Sequence, residues 1–137
     1  GVPSFVFSRE EFIAGVPILE KLAEYDVCLI VLAGFMNKIS DVILQAFPGK
    51  IVNIHPALLP KYGGKGMYGM HVHEAVVKAG ERESGITIHY INEHYDEGAI
   101  IFQASCPVLP SDTPEEVASK VHALEYAHYP HVIESLL

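Results

Sequence analysis

The chain has 137 residues, half of them hydrophobic, with nine basic against seventeen acidic side chains and a net charge of −8. That length suffices for one domain burying roughly 68% of its unfolded surface, and the composition excludes a disordered segment. The acidic balance excludes general nucleic-acid binding, which needs lysine and arginine to neutralise phosphates. The longest apolar run, Val27 to Ala33, is too short to span a bilayer. Cys28 and Cys106 form no C-x-x-C pair, and are expected as free thiols in a reducing, cytoplasmic setting.

In chain order, Ser4 to Phe7 predicts a short strand. Ser8-Arg9-Glu10-Glu11 reads as a capping box opening a helix. Gly15 and Pro17 should break that helix, and Ile18, Leu19, Leu22 and Ala23 keep helical spacing beyond them. Val27 to Leu32 is short and continuously apolar, as a strand buried on both faces of a parallel sheet would be. Ser40 and Asp41 can cap a helix whose apolar set is Val42, Ile43 and Phe47, ended by Pro48-Gly49.

Ile51 to Ile54 is the next strand, and it runs into Pro56 and Pro60. Residues two apart on a strand share a face, so Asn53 and His55 project together where the strand ends. In open α/β sheets that is where ligands bind. Residues 61–69 hold four glycines and predict a mobile surface loop. A helix follows from near His71 to Gly80; on it His71 and His73 fall on different faces, which disfavours a metal pair.

Gly85 to Ile91 alternates as a strand, placing His89 either toward the same cleft as His55 or in the core. Asn92 to Gly98 is an acidic turn, and Ala99 to Ser105 a further strand. So short a link permits only an antiparallel hairpin. Thr113-Pro114-Glu115-Glu116 is a strong helix start, with Val117, Val121 and Leu124 facing inward. Pro130 should interrupt this helix before a last segment ending at Leu137. Strand–helix alternation followed by a hairpin makes the class α/β, with a mixed sheet.

The string Asn53-x-His55-Pro56-x-Leu58-Leu59-Pro60 resembles the signature of the folate-dependent formyltransferases. Matches along the whole chain resemble the branch of that family acting on glycinamide ribonucleotide in purine synthesis. The resemblance implies a Rossmann-like fold: a mixed, mostly parallel sheet with flanking helices. Residues 1–137 would form a single catalytic domain. The family's first strand and glycine-rich phosphate loop have no counterpart in the sequence, so the chain is expected to be the larger part of a longer protein.

Formyl transfer to an amine needs a donor for the developing oxyanion, a proton shuttle, and a group that holds the shuttle charged. Asn53 offers the first and His55 the second. Glu93, Asp96 and Glu97 are all candidates for the third; the resemblance selects Asp96, which precedes Gly98 as the family's acidic residue does. A carboxylate there would favour the imidazolium of His55.

The resemblance also implies folate contacts at Arg9, at Met36, Asn37, Lys38 and Ile39, at Asn53, and at Asn92, Glu93, His94, Tyr95 and Asp96. Asn37 and Lys38 depart from the family pattern. It further implies ribonucleotide contacts at His122, Ala123, Leu124 and Glu125. The implied activity takes 10-formyltetrahydrofolate as co-substrate, requires no metal, and acts on small molecules rather than nucleic acid or membrane. Formyltetrahydrofolate deformylase and a non-catalytic folate-binding fragment are the alternatives. A methionyl-tRNA formyltransferase would need a basic RNA-binding face that this acidic chain lacks.

Overall fold

The computed structural model describes residues 1–35, 38–92 and 98–137. Among them the elements run α1 (Arg9–Ala14), α2 (Val16–Glu24), β1 (Ile30–Leu32), α3 (Asp41–Ala46), β2 (Ile51–His55), α4 (Met70–Lys78), β3 (Glu83–Tyr90), β4 (Ile100–Pro107) and α5 (Pro114–Ser135). The strands form one sheet in the order β1-β2-β3-β4. β1 and β2 are parallel, with Leu32 beside Asn53; β2–β3 and β3–β4 are antiparallel. The mixed sheet is as expected, but parallel pairing is confined to β1–β2 among the described residues, because the hairpin β3–β4 docks on β2.

Several local signals act as the sequence implies. Ser8 and Glu11 form both halves of a capping box, at 3.2 and 2.9 Å. Gly15 ends α1 and starts α2 with φ 78°, a conformation open to glycine. Thr113 caps α5 by accepting from the Glu116 amide.

Others are overridden. Residues 4–7 form no strand; instead Phe5 packs on Tyr25 beneath the Lys21 ammonium. β1 is shorter than the apolar run and is not buried on both faces, since Val31 is 39% exposed on an outer strand of the described sheet. β3, read as alternating, is buried almost throughout because it is central. Val42 faces outward and Ile43 alone of α3 is buried. Ser40 precedes α3 but turns its hydroxyl to the Ala14 carbonyl at 3.5 Å instead of capping.

α5 passes straight through Pro130. A proline removes one helical hydrogen bond, at a cost of about 3 kcal/mol. Anchors on both sides offset it: Tyr129 is buried in the core, where Val132 and Ile133 also pack.

Two cores result. Val76 of α4, Ile86 and Ile88 of β3, and Val117 and Val121 of α5 make the larger one. Ile39, Ile43 and Ile51, with Ile18 and Leu22 of α2, make the smaller. Among the described residues no helix is long and apolar enough to cross a membrane.

Candidate active site

A cavity of about 760 Å³ opens at the carboxyl ends of β1 and β2. That volume suits a small-molecule site. Asn53 and His55 line it from the end of β2, as strand parity requires. The residues after β1, including Phe35, Lys38 and Ile39, form a largely apolar wall with Leu32 and Ile91. Residues 64–69 form a second wall, and His73 of α4 with His122, Glu125 and Tyr129 of α5 complete it.

His55 is 4% exposed. Its Nε2 lies 2.7 Å from the Tyr62 carbonyl oxygen. A carbonyl only accepts, so Nε2 carries the proton. Tyr62 is held in turn: its phenol donates to Glu81 Oε1 at 2.9 Å, and Lys61 reaches the same oxygen at 3.4 Å. Burial, and then the bond to Glu81, push the Tyr62 hydroxyl pKa above its ordinary value.

The segment after His55 is fixed from below. The Thr87 hydroxyl donates to the Ala57 carbonyl at 2.7 Å and accepts from the Leu59 amide at 3.0 Å. The Gln103 amide donates to the Leu59 carbonyl at 3.0 Å.

Asn53 stands opposite His89 in the β2–β3 register. His89 is fully buried, and its Nδ1 donates to the Tyr90 carbonyl at 3.1 Å. In the neutral ring Nε2 is then an acceptor, and the Asn53 amide reaches it at 3.5 Å, a long contact. Of the two readings for His89, burial beneath Asn53 is the one observed. Between Ile88 and His89 the pairing with β4 slips by one residue, and bulges of this kind re-aim side chains beside sites.

The expected site residues divide. Asn53, His55, Lys38, Ile39, Asn92, His122 and Glu125 all line the cavity. Arg9 does not; it is exposed at the start of α1. Ala123 is exposed, and Leu124 packs on the larger core, because of these four α5 residues His122 and Glu125, three apart, share the cavity face. Met36, Asn37, Glu93, His94, Tyr95 and Asp96 lie outside the described residues.

Burial pushes the Glu125 carboxyl pKa upward, and the nearby His122 partly offsets it. Burial pushes the His73 imidazole pKa downward, and the positive charges available to His122 and His55 act the same way.

Two cavity features escaped the sequence reading. The glycine loop was expected as a mobile surface loop that orders on substrate binding, and residues 64–69 form a wall of the cavity. His73 was weighed only as a metal ligand. Its spacing of three from buried Val76 was the available sign that it faces inward. Among the described residues no three His, Cys, Asp or Glu side chains come together as a metal site would require.

Comparison with known proteins bears on this cavity. Residues 3–133 match the family model described as formyl transferase. The chain is 42% identical to the chloroplastic phosphoribosylglycinamide formyltransferase of Arabidopsis thaliana, over 99% of this chain and 48% of the relative. It is 40% identical to the phosphoribosylglycinamide formyltransferase of Bacillus subtilis, over 99% of this chain and 69% of the relative. The crystal structure of the Streptococcus pneumoniae phosphoribosylglycinamide formyltransferase superimposes with a TM-score of 0.88 at 36% identity, covering 98% of this chain and 74% of the other. The chain thus spans about half the length of the plant relative. With a family match over nearly its whole length, a mixed sheet and Asn53 and His55 at the end of β2, the chain belongs to the formyl transferase family.

Proposed function

We propose that the protein transfers a formyl group from 10-formyltetrahydrofolate to the amine of glycinamide ribonucleotide; the names of its relatives support the acceptor and the group transferred. The observation that carries this reading is the pairing of His55 and Asn53 in one cavity with His122 and Glu125 of α5. The cavity fits both substrates in chemical kind: an apolar wall of Leu32, Phe35, Ile39 and Ile91 for a flat heterocycle, and polar groups on α5 for a sugar.

Bound 10-formyltetrahydrofolate supplies the formyl carbon. As the acceptor amine adds, negative charge develops on the formyl oxygen, and the Asn53 amide donates a hydrogen bond to it. Such a donor contributes about 2.7–4 kcal/mol to barrier lowering. The bond from the formyl carbon to the folate nitrogen then breaks; His55 gives that nitrogen a proton, and the proton lost by the acceptor amine returns to His55. Asp96 would keep His55 protonated. Lys38, Ile39 and Asn92 would hold the folate, with Met36, Asn37, Glu93, His94 and Tyr95 around it; Arg9, exposed outside the cavity wall, would meet only a part of the folate that extends beyond the cavity. His122 and Glu125 would hold the ribonucleotide, with Ala123 and Leu124 setting the helix between them. The two free cysteines, Cys28 being exposed, support a reducing compartment such as the cytosol.

The test is isothermal titration with each substrate beside a formyl-transfer assay on the same full-length protein and on His55→Ala. Expected are binding of both substrates by each protein and a loss of about 10²–10⁴ in rate for the variant. Folate binding without transfer in the wild type would make the protein a binding module. Wild-type turnover by His55→Ala would remove His55 from the mechanism.

A further inference from the structure

His73 stands out among the buried polar groups because the mechanism above gives it nothing to do. It lies on α4, is 2% exposed, and shares the helix's inner face with Val76. Its ring lines the cavity, and its Nδ1 is buried with no hydrogen-bond partner. Buried polar atoms in folded proteins are nearly all paired, so an unpaired one in a cavity wall calls for a partner that arrives from outside.

Its neighbours define where that partner would be. The His122 ring stands edge-on to His73, with centroids 6.5 Å apart. His55 is also within electrostatic reach of it. His73 therefore lies within range of both the proposed proton donor and the α5 residues proposed for the sugar. In the acceptor substrate, the reacting amine and the ribose are joined by a carboxamide.

We propose that His73 is a substrate-contacting residue whose neutral imidazole hydrogen-bonds the carboxamide linking the acceptor's amine to its sugar. This assignment rests on the acceptor being glycinamide ribonucleotide. The chemistry matches. A neutral imidazole has one donor and one acceptor nitrogen, and a carboxamide offers one of each in return. Burial and two neighbouring histidines disfavour a charged ring here, which suits an uncharged partner. The contact would select an amide-linked acceptor over one joined by an ether or a methylene chain, because those leave the ring nitrogen unpaired.

The test compares His73→Phe and His73→Asn with wild type in the full-length protein. Phenylalanine keeps the ring volume and removes both nitrogens. Asparagine places an amide near the position of Nδ1. Kd for glycinamide ribonucleotide and for a 10-formyltetrahydrofolate analogue, and KM for both substrates, are measured with the thermal midpoint.

Expected for His73→Phe is a three- to tenfold weaker hold on the ribonucleotide, about what one hydrogen bond contributes, with folate affinity unchanged. Expected for His73→Asn is recovery of much of that loss. Ribonucleotide affinity within twofold of wild type in His73→Phe overturns the assignment. So does equal weakening for both ligands with a lowered midpoint, which marks a structural histidine. A wild-type protein that binds no glycinamide ribonucleotide overturns the functional reading and this proposal with it. Normal wild-type binding combined with an indifferent His73→Phe overturns the proposal alone.

Discussion

The His55 imidazole donates a hydrogen bond from Nε2–H to the main-chain oxygen of Tyr62 at 2.7 Å. Nε2 therefore stays protonated whether the ring is neutral or charged, and Nδ1 is the nitrogen that titrates. Nitrogen NMR of His55 across the neutral range should show the Nε2–H tautomer above its pKa. A neutral ring protonated at Nδ1 would contradict the observed geometry.

The same contact makes Tyr62 a positioning residue. Tyr62 sits at φ 58°, a left-handed conformation unusual for its type, and its phenol is tied to Glu81 at 2.9 Å. Tyr62→Phe removes the tie and keeps the ring. A hydrogen bond to a charged group contributes about 1.5–3 kcal/mol. Only part of that reaches His55, so kcat/KM is expected to fall up to about tenfold, with an altered pH profile. An unchanged rate and profile would show that the loop holds its carbonyl without Glu81.

Asp96→Asn should lower the His55 pKa. A carboxylate nearby favours imidazolium by about 1–3 units. In the wild type the charged ring then persists to higher pH, and in the variant it is lost at lower pH. Each unit corresponds to about 1.36 kcal/mol. Titration of His55 by NMR in both proteins checks the sign; an equal or higher pKa in the variant passes the role to Glu93 or Glu97.

Glu125→Gln should separate stability from binding. The Glu125 pKa is raised in the fold, chiefly by burial. Between its unfolded and folded pKa values the folded chain binds more protons, so its ionisation lowers stability as pH rises. The glutamine variant should therefore melt slightly higher than wild type at neutral pH, with the gain vanishing at pH values below the unfolded pKa. Ribonucleotide affinity should fall about tenfold or more, since a charged acceptor has been removed. Melting curves at several pH values with titration of the ligand decide it; a lower midpoint at neutral pH would make Glu125 a stabilising residue.

Gly85→Ala tests how closely β3 and β4 approach. A Cβ on Gly85 would overlap the Ala104 carbonyl oxygen and come within 2.9 Å of Leu58 Cδ2 and Ser105 Cα. Two of these are backbone atoms and cannot rotate away. Overpacking of this kind costs about 1–3 kcal/mol, and denaturant unfolding should show at least that loss. Because Leu58 follows Pro56 in the segment after His55, activity should fall as well. A variant as stable as wild type would mean that the hairpin can shift.

The sequence was most legible where a local rule decided the outcome. The Ser8–Glu11 box, Thr113 with Pro114, Gly15 and the strand Ile51–His55 all depend on neighbours a few residues away. It was least legible where distant packing decided. Pro130 looked like a helix end until Tyr129 and Ile133 were seen anchored on both sides of it. The run at Val27 looked like a doubly buried strand, whereas β1 takes only Ile30–Leu32 and leaves Val31 exposed. In the site, the motif marked Asn53 and His55. Tyr62 was invisible because it acts through its main-chain oxygen, which no residue type encodes. Gly98 is a related case: a Cβ there would overlap the Tyr90 carbonyl oxygen, so the glycine is a packing requirement as well as a motif letter.

The phenol of Tyr129, on α5, donates to the Leu32 carbonyl at the end of β1, at 2.6 Å across 97 positions of sequence. This bond and the α5 side chains around it form the far wall of the cavity. During synthesis β1, β2 and α4 leave the ribosome before α5 does, and for all that time the pocket has no far wall. A ligand that touches both β2 and α5 therefore cannot template the early chain. Closing contacts so distant in sequence are slow to form, which sets the interval during which the newborn chain exposes His55 and its apolar neighbours to other proteins.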